Sequence, residues 1–143
     1  MKTFIFWQRW LFYSSLGFAF FGVVLALFGN NPLFLPYNKA LSDLFWHQHS
    51  FPEGVSHFRA FVEGPLGGTI ACAYILLAYL AWYPFQRRER WSRDAIMIAF
   101  GTWFVLDSSV CLYYGAYFQV YLINMLSFLQ KALPILFTWK YFR

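Results

Sequence analysis

A chain of 143 residues that is 60% hydrophobic, 25% aromatic and only 12% charged departs from water-soluble domains, which carry about 25% charged residues. A soluble domain of this size buries only about 70% of its unfolded surface, so this much apolar area excludes a water-facing fold and makes lipid the expected solvent. The formal net charge of +5 does not point to nucleic acid, because the basic residues collect at the ends of apolar segments, where membrane topology accounts for them.

Taken in chain order, the first apolar run extends from about Trp10 to Phe28. It is longer than a signal-peptide core and lacks a small-residue cleavage site, so it reads as an uncleaved span. The helix breakers Gly29-Asn30-Asn31-Pro32 end it. The long loop 29–64 follows, carrying all three histidines, His47, His49 and His57. Within it, Lys39–Trp46 has apolar residues at helical spacing and is predicted to form a short amphipathic helix on the membrane or over the bundle. The second span is expected over 65–82. Pro65 would start its helix, and Gly64, Gly67 and Gly68 would let a neighbouring backbone approach. The basic loop 83–94 offers Ser92 or Asp94 as a cap for a third span over 95–115. A break at Gly115-Ala116-Tyr117 separates it from a fourth span over 118–137. Each span is near the roughly 20 residues that cross a 30 Å hydrocarbon core. The predicted fold is an all-α integral membrane four-helix bundle forming one domain.

Lysine and arginine counts set the orientation. With the N-terminus cytoplasmic, Lys2, Arg9, Arg87, Arg88, Arg90, Arg93, Lys140 and Arg143 lie inside and only Lys39 and Arg59 outside, so both termini are expected to be cytoplasmic. Lys131, in the last span, is expected to snorkel toward that side. The arginine run reads as a topology determinant, with binding of anionic headgroups as the sharper alternative. Trp7, Trp10, Trp46, Trp82, Trp91 and Trp139 fall near span ends, where indoles favour the interface. A bacterial inner membrane is the expected location.

Asp107 is the most informative side chain. It lies about twelve residues into the third span, about 18 Å along its axis, just outside the midplane. A carboxylate there costs about 2.5–3.5 kcal/mol on insertion scales, so by default it marks a site. Three roles suit it: a hydrogen-bond acceptor locking helices together, a neutral proton relay, or a counter-charge for a cationic ligand in an aromatic box with Trp103, four residues away. Asn124 falls at similar depth in the fourth span. Arg59 and Glu63, spaced for a local ion pair, stand at the outer mouth of the second. These five residues outline an outward-facing polar and aromatic cavity. His47, His49 and His57, with Glu53 among them, are the candidate metal ligands, against plain interfacial histidines in a loop. Cys72 and Cys111 lie in apolar runs without a C-x-x-C, so no redox centre and no cofactor is expected.

His57-Phe58-Arg59-Ala60-Phe61 leading into Gly64–Gly68 resembles the opening of the second helix in DoxX-like small four-helix membrane proteins, which implies a four-helix membrane bundle. The arrangement of Glu63 and Asp107 is similar to that of the sterol-isomerase and sigma-2-receptor-like four-helix group, which implies acidic residues holding a cation or moving a proton in a membrane cavity. Three functions follow as expectations. The first is a non-enzymatic protein whose partner is membrane lipid or a small apolar or cationic ligand. The second is an accessory or self-associating subunit of a membrane complex. The third is an isomerase-like enzyme using Glu63 and Asp107.

Overall fold

The computed structural model describes residues 2–29 and 31–142. Met1, Asn30 and Arg143 lie outside the described residues, and with them one of the four loop breakers and one of the inner basic charges. Among the described residues every regular element is helical. The order is α1 (Lys2–Phe28), a 3-10 turn (Pro32–Phe34), α2 (Leu35–Trp46), α3 (Val55–Trp82), α4 (Arg90–Tyr113), a π-helical stretch (Gln119–Asn124), α5 (Met125–Thr138) and a last 3-10 turn (Trp139–Tyr141). Four stretches, Lys2–Phe28, Val55–Trp82, Arg90–Tyr113 and Gln119–Tyr141, are long and apolar enough to cross a membrane. By composition this is an integral membrane protein.

Four helices begin earlier than the sequence pattern predicts, and α2 starts at Leu35 rather than Lys39. Residues 2–10 contain no breaker, and one face of them is buried: Phe4 is 2% exposed and Gln8 donates from Nε2 to the Ala81 carbonyl at 3.0 Å. The chain is therefore helical from Lys2, not from Trp10. Helix α3 starts at Val55 rather than Pro65, so Pro65 sits inside it. That proline removes one backbone hydrogen bond and crowds the preceding turn. Its exposed position lets the ring point away from the packed face. With 28 residues, α3 is about 42 Å long, so its first turns extend beyond a hydrocarbon core of about 30 Å. Helix α4 starts at Arg90, so neither Ser92 nor Asp94 is its cap: Ser92 Oγ donates back to the Glu89 carbonyl at 2.6 Å, and Asp94 accepts from Arg93.

The α4 terminus matches the predicted break. Gly115 has φ 75°, a left-handed conformation that glycine adopts without steric cost. The Ala116 N–H reaches the Cys111 carbonyl at 2.8 Å and the Gly115 N–H reaches Leu112 at 3.1 Å. These are the paired bonds of a Schellman ending.

The residues group into two compact units, Met1–Gly17 with Tyr74–Arg143, and Phe18–Ala73. In the second, α1 and α3 meet through small residues. A Cβ added at Gly67 would stand 2.5 Å from both the Ala26 nitrogen and the Gly22 oxygen, and one at Gly22 would stand 2.6 Å from the Ala71 nitrogen. Gly22/Ala26 on one helix and Gly67/Ala71 on the other are the small-xxx-small pattern that brings backbones together in lipid. Of the three glycines expected to serve this contact, only Gly67 does. Gly68 has nothing within 4 Å, and Gly64 has only the Ala26 oxygen at 4.0 Å.

In the first unit Leu11, Phe85, Ile96 and Ala81 are completely buried. An aromatic cluster forms beside them. Phe85 lies 6.0 Å from Phe4 and 4.7 Å from Phe142 between ring centres. Arg88 covers Phe4 at 5.1 Å, and Arg93 covers Trp139 at 4.0 Å. Two of the four loop arginines are thus engaged with rings. Arg87 and Arg90 are exposed.

Candidate functional site

Polar side chains inside the spans gather around Asp107 and around Lys131 in the first unit and around Arg59 and Glu63 in the second. In the first unit, α4 presents Asp107, Ser108 and Cys111 to the π-helical stretch before α5. Asn124 Nδ2 donates to Asp107 Oδ2 at 2.6 Å and to Ser108 Oγ at 3.2 Å, while Cys111 Sγ donates to the same Asp107 oxygen at 3.7 Å. Asn124 is 1% exposed, and its Oδ1 has no hydrogen-bond partner among the described residues. An amide donating to a carboxylate at this distance is a charge-assisted bond, the stronger kind. It joins α4 to the fourth span. Asp107 and Asn124 therefore meet, as their depths predict, and Asn124 is the acceptor's chief donor. Ser109 instead turns its hydroxyl to the Val105 carbonyl at 2.6 Å.

Two turns beyond Asn124, in α5, lies a group that sequence reading did not anticipate. Lys131 is 2% exposed, so it does not snorkel. Its Nζ donates to Tyr74 Oη at 2.6 Å, to the Ser127 carbonyl at 2.7 Å and to Ser127 Oγ at 2.8 Å. Those three bonds use all three ammonium protons. Tyr74 Oη and Ser127 Oγ are themselves 2.6 Å apart. The rings of Phe100, Tyr74 and Trp103 face the nitrogen at 4.4, 4.5 and 5.5 Å, an arrangement favourable to a cation. Trp103 thus walls the Lys131 site. The missed signal was present in the chain: Asn124, Ser127, Lys131 and Thr138 recur at helical spacing along one face of the last span. Polar residues within a span face the protein interior rather than lipid, and all four are buried.

In the second unit, Arg59 and Glu63 form the predicted pair one helical turn apart. Arg59 Nε donates to Glu63 Oε1 at 2.6 Å and Nη2 to Oε2 at 3.0 Å, a two-pronged contact. Nη2 also reaches the Gly29 carbonyl at 3.2 Å, and the guanidinium covers the Phe51 ring at 4.5 Å. The side chains are only 12% and 9% exposed. The pair closes one side of a cavity of about 260 Å³ bounded by Leu25, Ala26, Leu27, Phe28, Gly29, Asn31, Ala60 and Glu63. A Cβ at Gly29 would meet Glu63 Oε2, so a larger residue there would have to displace the carboxylate from its place beside Arg59.

Of the five expected site residues, then, Asp107 pairs with Asn124, Arg59 pairs with Glu63, and Trp103 stands over Lys131. The first and third of these groups belong to one unit and the second to the other. The histidines are not gathered together. His49 Nδ1 lies 3.0 Å from Asp43 Oδ1, and His47 ends α2 with φ 54°. Among the described residues no group of three or more His, Cys, Asp or Glu side chains is placed to hold a metal ion.

No family model matches the chain, no curated protein or solved structure is similar to it, and nothing in these comparisons joins it to the DoxX-like or sigma-2-receptor-like groups.

Proposed function

We propose that this is a small polytopic membrane protein that binds one end of a lipid-like or small apolar ligand in the Glu63 cavity. The observation that carries the reading is the cavity itself, walled by Leu25, Leu27, Phe28 and Ala60 together with polar surface that includes Asn31 and the buried, ion-paired Glu63 carboxylate. Ligand sites combine an apolar lining with a few fixed polar groups. At about 260 Å³ the space falls just below the roughly 300 Å³ where such sites begin, so it suits a small molecule or the polar end of a longer one. Arg59 leaves lone pairs of Glu63 available, since a carboxylate offers about four acceptor positions, and a hydroxyl or ammonium group on the ligand would use them. The cavity lies toward the N-terminal end of α3, and the basic loop follows its C-terminal end. Under the positive-inside rule it faces away from the cytoplasm.

Native mass spectrometry of the purified protein tests this. The wild type is expected to carry a small-molecule adduct that Ala60→Phe, which fills the cavity, removes. An adduct of equal abundance in Ala60→Phe, or none in the wild type, refutes the proposal. The same spectrum gives the oligomeric state and so tests the accessory or self-associating alternative. The isomerase-like alternative needs Glu63 to exchange protons during turnover. Its anchoring by Arg59 at both oxygens favours the binding role.

A further inference from the structure

The first half of α1 divides into two faces. Phe4, Gln8, Leu11 and Ser15 are buried, at three- and four-residue spacing. On the other side, Lys2, Ile5, Phe6, Arg9, Trp10 and Tyr13 are exposed and border a trough of about 690 Å³. Chemical character changes along it. Lys2 stands at the helix start and Arg9 just past the middle, with Ile5 and Phe6 between them and Trp10 and Tyr13 beyond.

From Lys2 to Ser14 the trough spans twelve residues, about 18 Å along the axis. That is the depth of one leaflet, half of a hydrocarbon core of about 30 Å plus part of the headgroup layer. Lys2 and Arg9 are two helical turns apart. Side chains on a helix tilt toward its N-terminus, and arginine keeps its stem along apolar surface while the head seeks the interface. An Arg9 side chain extended in that direction lifts its guanidinium toward Lys2, so that the two cations flank one phosphate position. Trp10, the next residue, offers an amphipathic ring beside it. An apolar surface alone takes any lipid. A trough of this length with one cation at its start, a second just past its middle and no acidic residue among the side chains that border it is complementary to a lipid carrying negative charge.

We propose that this face of α1 is a binding site for one anionic phospholipid, with its phosphate between Lys2 and Arg9 and an acyl chain along Trp10 and Tyr13. The site is separate from the Glu63 cavity and does not depend on that assignment. The orientation rule puts it in the cytoplasmic leaflet, the leaflet of anionic surface potential.

The test is competition between phosphatidylglycerol and phosphatidylcholine in equimolar nanodiscs, read as bound lipid by native mass spectrometry. Wild type retains phosphatidylglycerol preferentially. At the usual contribution of one interfacial cation, R9Q lowers that preference about five-fold and K2Q/R9Q about thirty-fold. K2R/R9K keeps it, and so does R87Q/R90Q, which removes exposed charges of the basic loop. Melting in phosphatidylcholine alone establishes that each variant is folded, and R9Q carries the test should the double variant fail to fold. Equal retention of both lipids by the wild type overturns the proposal. So does a preference that R9Q leaves unchanged, or one that falls as far in R87Q/R90Q as in the α1 variants.

Discussion

Asp107→Leu and Asn124→Leu, alone and together, measure what the carboxylate does. In the structure Asn124 Nδ2 meets Asp107 Oδ2 at 2.6 Å, and its only other acceptor among the described residues is Ser108 Oγ at 3.2 Å. Removing Asp107 strands most of the donor capacity of an amide that is 1% exposed and already has an unpartnered Oδ1. An orphaned buried donor costs about 1–3 kcal/mol. Removing Asn124 instead leaves a half-buried carboxylate with only the Cys111 thiol at 3.7 Å, a loss of comparable size. Removing both deletes donor and acceptor together, which is far less damaging than either alone. Hydrogen bonds between transmembrane helices couple by about 0.6 kcal/mol on average and about 1.7 at most. This one is short and charge-assisted, so the expected coupling is about 1–1.5 kcal/mol. Equilibrium unfolding of the four proteins in mixed micelles closes the double-mutant cycle. Additive losses, with coupling below about 0.5 kcal/mol, would show that the Asp107–Asn124 contact does not hold the helices, and the ligand role of Asp107 would regain the advantage.

The α1–α3 contact predicts opposite outcomes at adjacent glycines. Gly67→Ala drives a Cβ against backbone at 2.5 Å and is expected to lower stability by about 1–3 kcal/mol. Gly68→Ala, with open space around it, is expected to raise it by about 0.5–1 kcal/mol, both read as melting shifts in detergent. Arg59→Gln leaves Glu63 buried without its cation and should cost about 3–5 kcal/mol, most of it recovered in Arg59→Gln/Glu63→Gln. A double variant as unstable as the single one would show that the pair's charges do not matter to folding. Tyr74→Phe deprives the Lys131 ammonium of its 2.6 Å acceptor and should cost about 2 kcal/mol. In the K131M background the same change should cost about half as much, because the bond to the ammonium is already absent. Equal costs in the two backgrounds would argue against the ammonium's reliance on Tyr74.

Composition and periodicity alone determined that the chain is helical and apolar enough to span a membrane four times. They also placed the α4 ending at Gly115, the amphipathic helix over Lys39–Trp46, the Arg59–Glu63 pair and the shared depth of Asp107 and Asn124. Each of these follows from spacing along one helix or from the local chemistry of glycine, and such information is contained in a short window. Helix starts were less legible. Apolarity marks the length in contact with lipid, whereas hydrogen bonding continues the helix through polar residues such as Gln8 and even past Pro65. Only the tertiary structure decided which glycine meets a neighbouring backbone, since Gly67 and Gly68 are alike in sequence and differ only in the face they occupy. It also decided the fate of the cations. A lysine in a span can reach the interface or be satisfied inside, and the choice for Lys131 depended on Tyr74, 57 residues away, meeting its ammonium. Contacts of that separation leave no trace in local pattern, because the burial of a charge depends on which partners the fold brings to it.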